Sequence, residues 1–313
     1  MDGYTVSRCA RIAACRMNLS PHLSALESEA IHILRDGVAE ARNPVLLFSA
    51  GKDSTVLAHV ALRAFYPSRP PLPLLHVDST WEFAELLGFR DAFAARHGFE
   101  LHVHANEEGR AMGLNPFEHG DVYTSMMRTD ALKKALDAGG YDVIFGGARR
   151  DEEASRAKER VASVRAPGHV WDPRRQRPEL WSIYNWRTDK GETIRAYPLS
   201  NWTEADIWAY IAARDLPLVP LYYAAERLVV DRDGALIVVD DPARMRWCEG
   251  EHPVKRMVRF RTLGCWPVTG AIESDAATTA KVIAENLTAS ISERRGRVSD
   301  DGSLEAQKRS GYF

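Results

Sequence analysis

The sharpest chemical signal in the chain is a run of seven residues, Ser49-Ala50-Gly51-Lys52-Asp53-Ser54-Thr55. It follows an all-apolar stretch, 45–48, and precedes a helical pattern. Phosphate needs close backbone approach, which Ala50 and Gly51 permit. It needs amide donors, and a helix N-terminus supplies them with a partial positive charge. Ser49, Ser54 and Thr55 add hydroxyls and Lys52 adds a full charge. Asp53 suits either a helix cap or a carboxylate for Mg²⁺ on the phosphates. The loop is not a Walker A motif, because Leu46 and Asp53 stand where that motif needs glycine and Ser or Thr. Gly51-Lys52 is the only Gly-Lys pair in the chain. The same letters also suit a turn that merely caps a helix.

Two further clusters follow apolar runs. Gly146-Gly147-Ala148-Arg149-Arg150 leads into Asp151-Glu152-Glu153 and Arg156. Gly146 and Gly147 let backbone approach a ligand. Arg149, Arg150 and Arg156 offer planar forks that donate in pairs to sulfate or phosphate. The competing reading is a solvated helix with Glu152 and Arg156 paired one turn apart. The other cluster is His76-Val77-Asp78-Ser79-Thr80-Trp81-Glu82. Here a helix capped by Ser79 or Thr80, with Glu82 in its first turn, competes with ligand binding.

Composition limits the alternatives. The 313 residues hold 41 basic and 43 acidic side chains, a net charge of −2. No global field draws the protein to nucleic acid or membrane, so an anion site must be local. No apolar run approaches the ~20 residues that span a bilayer. The four cysteines, Cys9, Cys15, Cys248 and Cys265, are too few for a disulfide scaffold, and none has metal-ligand spacing with histidines nearby. A reducing cytoplasm is the expected compartment. Residues 1–16 lack the apolar stretch of a secretory signal and read as a flexible tail or an over-extended start.

The elements that must position these residues alternate. Helical periodicity covers 23–38, 55–65, 83–97, 122–138 and 151–160, and apolar strands cover 45–48, 74–77, 101–104 and 142–145. Such alternation predicts an α/β fold with a doubly wound parallel sheet and right-handed crossovers. Ligands on such sheets bind at the carboxyl ends of strands, which selects the loops after Phe48, Val77 and Phe145. Residues 165–190 read as a long loop, partly mobile without ligand. A strand at 193–198 and a helix at 203–214, capped by Ser200 or Thr203, follow. Asp233-Gly234 between β-branched runs marks a hairpin over 228–239. A helix at 276–292 and an extended tail at 294–313 close the chain. The expected division is a tail at 1–16, a nucleotide-binding α/β domain at 17–215, and a mostly irregular and helical C-terminal extension at 216–313.

Ser49-x-Gly51-x-Asp53-Ser54 after an apolar strand resembles the PP-loop of the ATP pyrophosphatase superfamily, whose members split ATP between the α and β phosphates. The usual second residue is glycine, and Ala50 replaces it here. The segment at 146–156 resembles that of PP-loop enzymes of sulfur assimilation. With 171–181, 198–208, 219–227, 257–274 and 292–313 it narrows the resemblance to the small-subunit family of two-subunit sulfate adenylyltransferases. The resemblance runs from 17 to 313, although 243–255 matches nothing recognisable. It implies transfer of AMP from ATP to sulfate, giving adenylyl sulfate and pyrophosphate, with Mg²⁺ on the ATP and no iron–sulfur cluster or flavin. It implies ATP contacts from 49–55, His76, Asp78, Gly146 and Gly147, and catalytic roles for Lys52, Arg149, Arg150 and Arg156. It also implies a separate GTPase subunit, since making the product is uphill and this chain has no Walker A loop.

Rival classes make different demands. Adenylyl sulfate and phosphoadenylyl sulfate reductases need a nucleophilic cysteine in a C-terminal Glu-Cys-Gly-x-His context. No cysteine follows Arg294, and Cys248-Glu249-Gly250-Glu251-His252 has the letters in another order. Their iron–sulfur branch needs a second cysteine where Val268 follows Gly264-Cys265-Trp266-Pro267. A tRNA-thiolating enzyme would carry a basic face and paired cysteines. A non-catalytic nucleotide-binding subunit would look alike in sequence, and only an activity measurement separates it.

Overall fold

A computed structural model describes residues 19–153 and 156–288. Helix α1 (Pro21–Glu40) starts at Ser20, whose hydroxyl accepts the Leu23 N–H, with Pro21 at the first helical position. Its buried face is Leu23, Leu26, Ala30, Ile33 and Leu34, the 3.6-residue stripe of the sequence. Strand β1 (Pro44–Leu47) leads into helix α2 (Lys52–Ala64). Strand β2 (Leu74–Asp78), helix α3 (Ala84–His97) and strand β3 (Leu101–Ala105) continue the alternation.

Residues 122–138 are helical throughout, as expected, with a π-helical turn inside the run. Short helices α4 (Glu107–Ala111) and α5 (Pro116–Thr124) precede a π-helical turn over Ser125–Asp130, and α6 (Ala131–Gly139) follows. Strand β4 (Val143–Phe145) is wholly buried. The helix expected at 151–160 does not form. The described residues there hold only a 3₁₀ turn at Arg156–Lys158; Glu152 accepts the Arg149 N–H, Glu153 accepts from Arg156 Nε, and Glu159 accepts from Arg165 Nη1. The long loop expected at 165–190 forms over 172–190, and its first residues are strand instead. Strands β5 (Ala162–Ala166) and β6 (Val170–Trp171) form before β7 (Thr193–Ala196).

The main sheet has the order β3-β2-β1-β4-β7-β5-β6. Its first five strands are parallel, and β5 and β6 add antiparallel at the edge. The order reverses between β1 and β4, so the crevice outside their carboxyl ends is the topological switch point. Helix α7 (Glu204–Arg214) carries the capping box that the sequence suggested, with Thr203 and Asp206 reciprocally bonded. A second, antiparallel sheet has the order β11-β10-β8-β9. Its strands are β8 (Ala225–Arg232), β9 (Ala235–Val238), β10 (Val254–Arg259) and β11 (Ile272–Glu273). Asp233 and Gly234 both have positive φ, 54° and 83°, as a two-residue hairpin turn requires. Helix α8 (Thr279–Thr288) is the last described element. The expected tails at 1–16 and 294–313, and the end of the 276–292 helix, lie outside the described residues.

One apolar core includes Leu46, Phe48 and Val56 together with Trp208, Tyr222, Val230 and Trp266. It therefore joins both sheets. A buried carboxylate ties three helices below the site. Glu27 accepts two bonds from Arg214 at 2.9 Å, one from Tyr210 Oη at 2.6 Å, and pairs with Arg63 Nε at 2.6 Å.

Candidate active site

The loop leaving β1 turns sharply. Ala50 has φ 58°, and Gly51 is the cap position of α2 with no side-chain cap bond. Gly51 therefore offers no side-chain acceptor to the amides at the start of α2. Ser49 Oγ and Ser54 Oγ lie 3.2 Å apart, and Ser54 Oγ donates to the Gly51 carbonyl at 3.1 Å. These bonds pin the loop to the helix it precedes.

Three charges meet there. Lys52 Nζ donates to Asp53 Oδ2 at 3.1 Å, and Arg149 Nη1 donates to Asp53 Oδ1. Lys52 and Arg149 are each 1% exposed. Two buried cations therefore converge on one carboxylate. Gly147 brings the β4 loop against α2: a β-carbon there would lie 3.1 Å from the Asp53 carbonyl carbon and the Ser54 nitrogen. Gly146 lies against Tyr197, and a β-carbon there would crowd the ring at 3.2 Å. The structure thus brings together Ser49, Ala50, Gly51, Lys52, Asp53, Ser54, Gly146, Gly147 and Arg149. Thr55 sits one residue further along α2, fully buried.

The other expected residues stand apart. Arg150 turns toward the β5 side, donating to the Glu159 carbonyl at 3.3 Å and to Asn201 Oδ1 at 2.6 Å. Arg156 is clamped by Glu152 at 2.9 Å and Glu153 at 3.2 Å, the one-turn pairing of the competing reading. His76 is buried, its Nδ1 2.9 Å from the Phe48 carbonyl, so it donates there and braces the end of β1. Burial lowers its pKa, and the Phe48 carbonyl opposes that shift only in part. Asp78 accepts the Thr80 N–H at 2.7 Å in a tight turn. Ser79 and Thr80 do not cap α3; its cap position is Phe83, and Glu82 instead accepts the Ser79 N–H at 3.2 Å. Burial raises the Glu82 pKa.

Sequence reasoning missed Tyr222. Its hydroxyl accepts the Lys52 backbone N–H at 2.9 Å, from 170 residues away. The ring is 2% exposed and meets Trp208 edge-on at 5.9 Å. Nothing local marks Tyr222, although it lies in one of the stretches that carried the resemblance. Among the described residues no group of three His, Cys, Asp or Glu could hold a metal ion, and no helix is long and apolar enough to cross a membrane.

Fold and loop together define an α/β nucleotide-binding protein of the PP-loop type. The family described as phosphoadenosine phosphosulfate reductase domain matches residues 43–271. The chain is 58% identical over 299 residues to sulfate adenylyltransferase subunit 2 of Maricaulis maris (strain MCS10), covering 94% of this chain and 98% of that protein. It is 58% identical to the protein of the same name from Rhizobium meliloti (strain 1021), covering 94% of each. A phosphoadenylyl-sulfate reductase from Candida auris, solved as a phosphate complex, aligns with TM-score 0.45 at 18% identity, covering 66% of this chain and 92% of that one. The chain belongs to the phosphoadenosine phosphosulfate reductase domain family and, within it, to the sulfate adenylyltransferase subunit 2 family.

Proposed function

We propose that this chain is the catalytic, ATP-binding subunit of a sulfate adenylyltransferase. A sulfate oxygen attacks the α-phosphorus of ATP. The new S–O–P bond forms as the bond between the α-phosphorus and the bridging oxygen breaks, and pyrophosphate leaves in line. Sulfate is already a dianion, so no general base is needed. The work is positioning and charge neutralisation. The observation that carries this reading is the convergence of Lys52, Asp53 and Arg149 on the start of α2 at the switch point, where Gly51 lends no side-chain cap.

Residues 49–54 would hold the β and γ phosphates, and Lys52 would neutralise charge on the departing pyrophosphate. Arg149 would reach the transferred phosphoryl group. Arg150 would place sulfate, and Arg156 would join it on release from Glu152 and Glu153. Mg²⁺ would arrive on ATP as part of the substrate, with Asp53 the loop carboxylate that faces it. Adenylyl sulfate holds a high-energy anhydride, so a GTPase partner would drive its synthesis, in a reducing cytoplasm.

The test is sulfate-dependent exchange of labelled pyrophosphate into ATP, with and without the GTPase subunit. Exchange that needs sulfate supports the proposal. Exchange absent under all conditions leaves a nucleotide-binding subunit, and reductant-dependent sulfite release would mean a reductase.

A further inference from the structure

Leu180, Trp181 and Ile183 are 60%, 87% and 67% exposed. Single exposed apolar side chains are ordinary; three within four residues form a patch. The backbone beneath them is strained. Trp181 has φ 53° and ψ 33°, and Ser182 has φ 57°. Two consecutive left-handed residues without glycine oppose the steric preference of L-residues. The chain thus presents an indole to water against both its backbone preference and the hydrophobic effect.

The tip is rooted on both sides. After it, Tyr184 and Trp186 are buried, and Trp186 Nε1 donates to Asp36 of α1 at 2.6 Å. Before it, Glu179 accepts the backbone N–H groups of Val161 at 3.1 Å and Ala162 at 2.8 Å. The same carboxylate lies 3.9 Å from Arg150 Nη2. A push on the tip therefore reaches an arginine of the proposed sulfate site through one residue. Exposed Arg174 and Arg187 flank the patch in sequence, so a fitting surface carries an apolar pocket with an acidic rim.

We infer that the 180–183 tip docks into the partner subunit, and that Glu179 relays docking to Arg150. This rests on the proposed function, which needs a second subunit to drive sulfate activation. That subunit is the occupant for which contact with a sulfate-placing arginine has a use. Docking would pull Glu179 from Arg150 or press it closer, and so reset the apparent affinity for sulfate.

The test uses the full chain and the purified GTP-hydrolysing subunit of the same enzyme. Trp181→Ala, a change at an exposed position, should weaken association roughly tenfold or more, as loss of an aromatic anchor does. At saturating partner its sulfate-dependent exchange should return to the parent rate. Glu179→Gln should bind the partner as the parent does, yet its KM for sulfate should no longer respond to it; a merely structural role would not move that response. Unchanged association of Trp181→Ala overturns the inference. So does a parent chain that self-associates through the tip, which would make the occupant a second copy. Exchange without any association would sink the tip and spare the catalytic reading. Association without exchange would do the reverse.

Discussion

Ala50 occupies the left-handed region at φ 58° and is fully buried. Glycine there would remove strain but lose a buried methyl and add unfolded-state entropy. Those terms are each about 1 kcal/mol, so Ala50→Gly should change stability by less than about 1 kcal/mol. Ala50→Val adds a branch where neither φ nor space allows it, and should cost roughly 2 kcal/mol or more in urea denaturation. Lys52→Met and Arg149→Met should each lower sulfate-dependent exchange by ~10²–10³, the usual worth of one transition-state donor. Circular dichroism should stay unchanged; a near-parent rate in either variant would remove that residue from the proposed chemistry. These residues were legible in sequence because phosphate-loop chemistry is local. The Asp53–Arg149 pair was not, since it spans 96 positions. Arg165 misled in another way. A charged residue argues against a buried strand, yet Glu159 and Tyr197 satisfy it inside β5.

Elements with short-range determinants were read well. The strands β1, β2 and β4 are mainly apolar runs, and the α7 cap needs only Thr203 and Asp206. The 151–160 stretch failed because charge periodicity looks the same whether the partners are solvent, helix neighbours or arginines of another loop. Two element-level links can be tested. Glu27→Ala strands buried Arg214 without its carboxylate and should cost roughly 3–5 kcal/mol in chemical denaturation. Tyr222→Phe removes the acceptor for the Lys52 amide, a bond of about 1 kcal/mol, so KM for ATP should rise roughly fivefold while the fold survives. An unchanged KM for ATP would show that this hydroxyl only fills space.

The whole molecule should lose stability in acid through its packed imidazoles. Burial lowers the His59 pKa to about 3, and Arg63, His97 and Arg214 repel its proton further. Burial also lowers His97 to about 4, with Arg96 assisting. Both folded values lie below the unfolded value, so the unfolded chain binds more protons between them. Stability is then full above about pH 6.5 and falls as pH drops through about 4 and 3, by up to ~1.4 kcal/mol per pH unit per group. Urea midpoints at pH 7.5 and 4.5 would reveal this, and His59→Gln should flatten the curve.

The Tyr222 hydroxyl on the Lys52 amide carries a consequence for how the protein melts. It stitches the segment before the antiparallel sheet to the first turn of α2, within one apolar core. Nucleotide bound at that turn would therefore protect distant strands β8 and β10 from hydrogen exchange, because neither region can open alone. A fragment ending near residue 215 would lose that clasp, and with it a contact that holds the first turn of α2 in place.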